Sequence, residues 1–370
     1  MIATATFGLE AVVKREIEKL GYKILKSEDG KITFLGDERA IVRANLWLRA
    51  ADRVQIKMAE FMAYEFEDLF QQMKAIPWEE WIPIDGKFVV NGSSVKSKLS
   101  SVPACQSVAE KALIERLKEF YYVDYFEKTG ASYDIKITIL KDRVTVTLDT
   151  TGPGLHKRGY RQHSVEAPIK ETLAAAMLEL SFWNKDRILT DPCCGSGTIP
   201  IEAAMIARNI APGISRNFVS EEWEAIPAKL WKEERAAAYA AIDNDVNPKI
   251  FGLDINLQAI AAAKANAEAA GVDDCIKFAA SDVANMRTKS LSGVVVTNPP
   301  YGERIGDRDA IEKIYKAYRD FFGANPTWSL FVITADKTIE KALGRPADRR
   351  RKLYNGRLEV CYYQYHGVKP

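Results

Sequence analysis

The residues of this chain best suited to chemistry are Asn298-Pro299-Pro300-Tyr301, which follow the apolar run Val294-Val295-Val296-Thr297 and precede Gly302. A strand that stops in Asn-Pro-Pro-aromatic offers an amide side chain and a free carbonyl at one point in space. Pro300 has no N–H and restricts the residue before it, so the Pro299 carbonyl is held toward a site rather than spent in a helix. Two acceptors and a flat ring can hold a planar exocyclic amino group: Asn298 and Pro299 take its two N–H donors, and Tyr301 stacks. Taken alone, a proline-rich turn after a strand explains the motif equally well.

A second constellation lies upstream. The run Arg187-Ile-Leu-Thr190 reads as a strand and ends in Asp191-Pro192-Cys193-Cys194-Gly195-Ser196-Gly197-Thr198, before a helical run from Ile199 to Arg208. Ligands of doubly wound sheets lie beyond the carboxyl ends of the strands, and Gly195 and Gly197 let backbone approach a ligand where a Cβ would collide. The last glycine of the dinucleotide fingerprint is missing, since position 200 is proline, and Asp191 would repel a pyrophosphate. That combination favours a cationic nucleoside without phosphates, an aminoacyl sulfonium, over NAD or ATP. Asp254 ends the next strand, Lys249–Asp254, and is placed to accept from ribose hydroxyls. It lies well beyond the usual spacing of about 20 residues from the glycines, so segment 209–248 must be an insertion, with Trp223 and Trp231 on extra helices. Asp282, after the strand 274–279, can accept from an adenine amino group while Val283 packs on the ring. Each acid alone could equally be a cap; three at successive strand ends, with Asn298 at the fourth, describe a nucleoside site.

These motifs need a parallel sheet to position them, and the second half of the chain supplies the pattern: strands at 187–190, 249–254, 274–279, 293–297 and 328–334 alternate with helices. A hairpin, 349–354 and 357–365, closes the chain around Asn355-Gly356, a strong turn signal. The first half reads differently. Helices are expected at 8–20 (ending at Gly21), 38–48, 68–75 and 108–120, and strands at 31–36, 87–91, 133–140 and 143–149. Two α+β units therefore precede the sheet, over residues 1–60 and 61–155, with Gly152-Pro153-Gly154 leading into a third unit, 156–370.

Composition agrees with several soluble domains: 370 residues, 47% hydrophobic, 28% charged, net charge +2. Local basic clusters carry more information than that charge: Lys96 with Lys98, His156-Lys157-Arg158 with Arg161, and Arg349–Lys352. Lys96, Lys98, Arg158 and Arg161 are the candidate contacts to nucleic-acid phosphates. The five cysteines form no C-x-x-C pair and have no histidine at metal-ligand spacing, so no metal site is expected. No basic leader with an apolar core opens the chain, and no run approaches a membrane span; the expectation is a cytoplasmic protein with no membrane partner.

Asp191–Thr198, Gly252-Leu-Asp254-Ile-Asn256, Ser281-Asp282 and Asn298–Tyr301 resemble the class I S-adenosylmethionine-dependent methyltransferases that act on exocyclic amines. More narrowly, Lys157-Arg-Gly-Tyr-Arg161 followed by Ala167-Pro-Ile-Lys-Glu-Thr-Leu-Ala-Ala-Ala-Met177 is similar to the THUMP-containing RNA guanine-N2 methyltransferases of the bacterial YpsC/YcbY type, which modify large-subunit rRNA. The resemblance implies a ferredoxin-like domain, a THUMP RNA-binding domain and a Rossmann-like catalytic domain with a seven-stranded, mostly parallel sheet. It also implies S-adenosylmethionine as cofactor, held by Pro168, Asp191, Cys193, Gly195, Ser196, Gly197, Thr198, Asp254, Ile255, Asp282, Val283 and Asn298. Asn298, Pro299, Pro300 and Tyr301 then form the catalytic motif, and 23S rRNA or a large-subunit precursor is the partner. Carbon methylation of cytosine would need a thiolate, and Cys193 and Cys194 belong to the cofactor loop instead. His156, His163 and His366 show no acid–base partner, and Glu303 and Arg304 read as solvated loop residues. Three rivals remain open: the same chemistry on tRNA, adenine-N6 methylation of DNA, and a non-catalytic RNA-binding assembly factor.

Overall fold

The computed structural model describes residues 1–162, 168–301 and 307–368. The amino-terminal half contains β1 (Ile2–Ala5), α1 (Glu10–Lys19), β2 (Ile24–Glu28), β3 (Lys31–Phe34), α2 (Glu38–Trp47), β4 (Ala51–Met62), α3 (Phe66–Lys74), β5 (Lys87–Val95), α4 (Val102–Tyr121), β6 (Ser132–Leu140) and β7 (Arg143–Asp149). All seven strands belong to one sheet, in the order β2-β3-β1-β4-β7-β6-β5.

One sheet thus spans both amino-terminal units, across their expected boundary near residue 60, through a strand not read from the sequence. Strand β4 is 12 residues long and crosses that point. It pairs antiparallel with β1 on one side (Ile2 with Gln55) and with β7 on the other (Gln55 with Asp149). Its Val54-Gln-Ile-Lys-Met58 core alternates apolar and polar residues, as a half-buried strand must. Helix α4 starts at Val102, six residues before the expected 108, because Pro103 occupies the first turn, where its missing N–H costs nothing.

The second half contains α5 (Glu171–Leu180), β8 (Leu189–Asp191), α6 (Thr198–Ala207), α7 (Ala228–Ala240), β9 (Ile250–Asp254), α8 (Leu257–Ala269), β10 (Ile276–Ala280), β11 (Val294–Thr297), α9 (Asp307–Ala324), β12 (Ser329–Thr334), α10 (Ile339–Leu343), β13 (Arg349–Asn355) and β14 (Leu358–Tyr365). They build a second seven-stranded sheet, β10-β9-β8-β11-β12-β14-β13. The pairings from β10 through β12 are parallel; those of β14 with β12 and with β13 are antiparallel. Every residue of β11 and β12 is buried, which is why both read as unbroken apolar runs. This is the mostly parallel α/β sheet anticipated from the sequence.

The insertion between α6 and β9 holds the halves together. Trp231 lies on α7, as expected, and stacks on Phe218 with centroids 5.3 Å apart. Trp223 does not lie on a helix: it follows a short 3-10 turn and inserts into the amino-terminal half. There its ring stacks on Tyr133 at 4.9 Å and its Nε1–H donates to the Ser132 carbonyl at 2.9 Å. The Gly213 N–H donates to the Leu46 carbonyl (2.9 Å), and Arg39 on α2 pairs with Glu233 (3.2 Å) and Glu234 on α7. The two sheets are thus packed through an apolar and hydrogen-bonded seam.

Candidate active site and cofactor cleft

Strand order reverses between β8 and β11, where chain connections leave in opposite directions and open a crevice at the carboxyl edge. A cleft of about 1230 Å³ lies there. Its cofactor-side wall comes from the ends of β8, β9 and β10: Asp191 with the Cys193–Ser196 turn and Thr198, then Asp254 and Ile255, then Asp282 and Val283. Pro168 and Lys170 reach it from the segment before α5, and Asn298–Tyr301 stand at the end of β11. The structure therefore brings together the sequence-derived cofactor and acceptor residues, with Gly197 just behind the lining.

Gly197 has φ +84 at the amino cap of α6. A Cβ there would lie 3.0 Å from the Ala263 Cβ and 3.1 Å from the Phe278 ring, so only glycine lets the α6 turn pack on α8 and β10. The Asp254 carboxylate fixes the neighbouring turns: Oδ2 accepts from the Gly195 N–H and Oδ1 from the Asn256 N–H, both at 2.9 Å. Asp282 accepts from the Ala284 N–H at 2.8 Å through Oδ1, and among the described residues Oδ2 has no partner, which leaves it for a ligand. Ile255 is 73% exposed at the cleft, an apolar surface left for a flat partner.

Asp191 is 1% exposed, and burial pushes its carboxyl up to about 7. The Thr297 hydroxyl and the Cys193 N–H offset part of that rise, while the charge of Asp254 adds to it. A cationic ligand in the cleft pays least when Asp191 is ionised. Affinity for S-adenosylmethionine, whose sulfonium carries the positive charge, measured without RNA, is therefore expected to weaken up to tenfold per pH unit below 7 and to level off above pH 8. Titration calorimetry across this range checks it, and Asp191→Asn should abolish the pH dependence. The same shift works against the ligand-free fold: stability falls as pH rises from about 4 to 7, since the native state retains a proton that the unfolded chain loses. Burial, with the Asp191 charge second, pushes the Cys193 thiol up to about 12, and Cys194 is also raised. Neither thiol is available as a thiolate nucleophile.

At the acceptor motif, Pro299 is buried and Pro300 exposed. Tyr301 is partly buried, packed against the core, and its hydroxyl donates to Asn298 Oδ1 at 2.5 Å. In this conformation the amide oxygen holds the tyrosine, so an incoming amine must displace that hydroxyl. Gly302, Glu303 and Arg304, like His163 and Ala167, lie outside the described residues.

The four basic candidates separate sharply. Lys96 and Lys98 are exposed beyond the ends of β5 and β6, with the Lys98 ammonium 4.9 Å from the Tyr64 ring centroid. They stand at the end of β7 remote from the Gly152–Gly154 linker, roughly 20 Å along the strand. Arg158 is a correction. It is 3% exposed, donates to the carbonyls of Leu155 and Arg49, and pairs with the fully buried Glu202 at 3.4 Å. Its guanidinium is consumed inside the seam and cannot reach a phosphate. Arg161 is also engaged: it pairs with Glu171 at 3.0 Å and donates to the Ile169 carbonyl and the Thr198 hydroxyl, tying α5 to the cofactor turn. His366 packs edge-on to Phe182, and burial pushes His156 down to about 4. Among the described residues no group of three or more His, Cys, Asp or Glu is placed to hold a metal, and no helix is long and apolar enough to cross a membrane.

Sequence reasoning missed the opposite wall of the cleft, formed by Asp309 and Lys313 of α9 and by Asn355–Leu358 of the closing hairpin. The Asn355-Gly356 turn was visible; its position at the cleft follows only from β14 running antiparallel to β12.

Three family models match the chain in succession: the RlmL ferredoxin-like domain over residues 1–55, the THUMP domain over 63–149, and the RMKL-like methyltransferase domain over 158–364. The chain belongs to the RMKL-like methyltransferase family. Among its relatives, "Putative RNA methyltransferase YpsC" of Bacillus subtilis is 49% identical over all of this chain and 97% of its own length. A solved structure from Listeria monocytogenes, described as a predicted N6-adenine-specific DNA methylase, superposes with a TM-score of 0.95. It is 48% identical, over 99% of this chain and 96% of the other. SMU.472, solved in complex with SAH, superposes with a TM-score of 0.94 at 41% identity, over all of this chain and 98% of the other. The family membership makes the chain a methyltransferase.

Proposed function

We propose that this methyltransferase uses S-adenosylmethionine to methylate the exocyclic N2 amine of a guanine in RNA, with 23S rRNA as the target. The observation that carries the reading is Asn298-Pro299-Pro300-Tyr301 at the switch point, facing the acid-lined wall across one cleft. The residues present fit the cofactor. Asp254 and the free Asp282 oxygen suit ribose hydroxyls and an adenine amino group, Ile255 and Val283 suit the ring faces, and Asp191 suits a positive charge. The cofactor supplies an activated methyl group for in-line displacement; the protein's part is alignment, worth several kcal/mol.

Asn298 and the Pro299 carbonyl would accept the two N2–H donors and draw the nitrogen lone pair out of conjugation with the ring. Tyr301 would swing from Asn298 onto the extruded base, a stacking contact of about 1–3 kcal/mol. Adenine N6 presents the same two donors, and the Listeria structure carries a description of that kind. The THUMP match and the YpsC relative favour RNA over DNA, and the exposed Lys96 and Lys98 give the amino-terminal half a phosphate-binding edge. Five free cysteines suit a reducing, cytoplasmic setting.

The test is nucleoside mass spectrometry on rRNA and tRNA from cells lacking the protein. The proposal expects N2-methylguanosine to fall by one residue per large rRNA and to return on complementation. A loss confined to tRNA would move the address, and a loss of N6-methyladenine from DNA would overturn the reading.

A further inference from the structure

The cofactor-side wall of the cleft carries Asp191, Asp254 and Asp282; its charge reverses across β11. Beyond that strand the lining presents Lys313, on the exposed face of α9, and Arg357, exposed in the β13–β14 turn. Neither cation has an ion-pair or hydrogen-bond partner among the described residues, although Asp309 lies one helical turn before Lys313. Two unpaired cations against one acid leave this wall of the cleft net positive, which favours an anion there.

The Arg357 turn is also held in place. Residues Asn355 and Leu358 pair, so Gly356 and Arg357 form a two-residue loop with φ +64 at the glycine. Below it, the hairpin is bolted to the amino-terminal half. The Arg351 guanidinium donates to the Gly8 carbonyl at 2.8 Å, and the Phe7 and Tyr354 rings meet edge-on at 6.3 Å. Gly8 has φ +89, and a Cβ there would lie 2.7 Å from the Lys352 carbonyl, so the two backbones touch. The half of the protein that carries the RNA-binding domain thus fixes the position of Arg357 over the catalytic cleft.

We propose that Lys313 and Arg357 form a clamp for the phosphates flanking the extruded nucleotide, a phosphodiester site on the acceptor side of the cleft. The proposal rests on the reading of the substrate as RNA. An extruded nucleotide enters with its phosphates still attached, and they must pass the rim opposite the cofactor; the cofactor has no phosphate to place there. The clamp holds the backbone while Asn298 and Pro299 take the base, and it is indifferent to sequence.

The experiment compares wild type with Lys313→Ala, Arg357→Ala and Arg357→Lys over a salt series. It measures anisotropy of a fluorescent single-stranded RNA and turnover on rRNA from cells lacking the protein. Each alanine should weaken RNA binding and raise KM by roughly 5- to 10-fold, and lower the slope of log affinity against log salt by about one. kcat and the affinity for S-adenosylhomocysteine should hold, and Arg357→Lys should retain most of the slope. Alanine variants that bind RNA as tightly as wild type, with the same slope, would overturn the clamp, as would a parallel loss of S-adenosylhomocysteine affinity. The binding arm does not depend on which base is methylated. A product other than N2-methylguanosine would therefore refute the proposed function while leaving the clamp to be decided by its own slope.

Discussion

Replacing Asn298 with alanine is expected to reduce kcat by on the order of 10²–10³, the usual cost of removing one preorganised polar group from a reacting centre. The loss falls on kcat because the amide acts on the amine as its lone pair develops, not on the RNA as a whole. RNA retention should persist, since Lys96 and Lys98 lie at the remote end of the amino-terminal sheet. Single-turnover kinetics with saturating enzyme isolate the effect from binding. Tyr301 sharpens the interpretation, because its hydroxyl occupies the amide oxygen at 2.5 Å in the ligand-free conformation. Tyr301→Phe deletes that competing donor yet keeps the ring, so it should retain most of the wild-type rate. Full activity in Asn298→Ala would show that the acceptor role lies elsewhere.

Arg158→Ala should instead act on the fold. The side chain sits in a seam with Glu202, and the Tyr160 hydroxyl donates to the same carboxylate at 3.0 Å. Removing the arginine takes from Glu202, 0% exposed, its paired cation, leaving the Tyr160 hydroxyl and the charge of the buried Arg49, and breaks the guanidinium's bonds to the Leu155 and Arg49 carbonyls. Loss of one member of such a pair costs about 3–5 kcal/mol. The expected result is a large drop in the urea midpoint, with several domains unfolding in more than one step. The salt slope of RNA binding by the variant that remains folded should be unchanged. An intact midpoint with a shallower slope would return Arg158 to the RNA surface.

The contrast between these two residues shows what the chain made legible. Strand β11, buried on both faces, reads as a plain apolar run, and β8 and β9 end in acids beside glycines, so Asp191, Asp254 and Asn298 could be placed at strand ends from sequence alone. A cluster such as His156-Lys157-Arg158 gives no sign of which member is buried. The informative signal lay elsewhere, in Glu202, a single acid within the otherwise apolar helix Thr198–Ala207, which demands a buried cation. Strand β4 escaped because its alternation is interrupted by a bulge between Lys57 and Ala59, and Trp223 because a 3-10 turn has no periodicity to read. Lys313 and Arg357 reach the cleft only through tertiary topology, from a helix and a hairpin on the far side of the acceptor strand.

The most direct measurement offers purified protein and methyl-tritiated S-adenosylmethionine to rRNA, tRNA and duplex DNA from cells lacking the protein, with Asn298→Ala alongside. The labelled nucleoside is then identified after digestion. The account predicts N2-methylguanosine from the large rRNA with wild type and almost none with the variant. Label in an adenine or a cytosine, or equal label with and without Asn298, would contradict it.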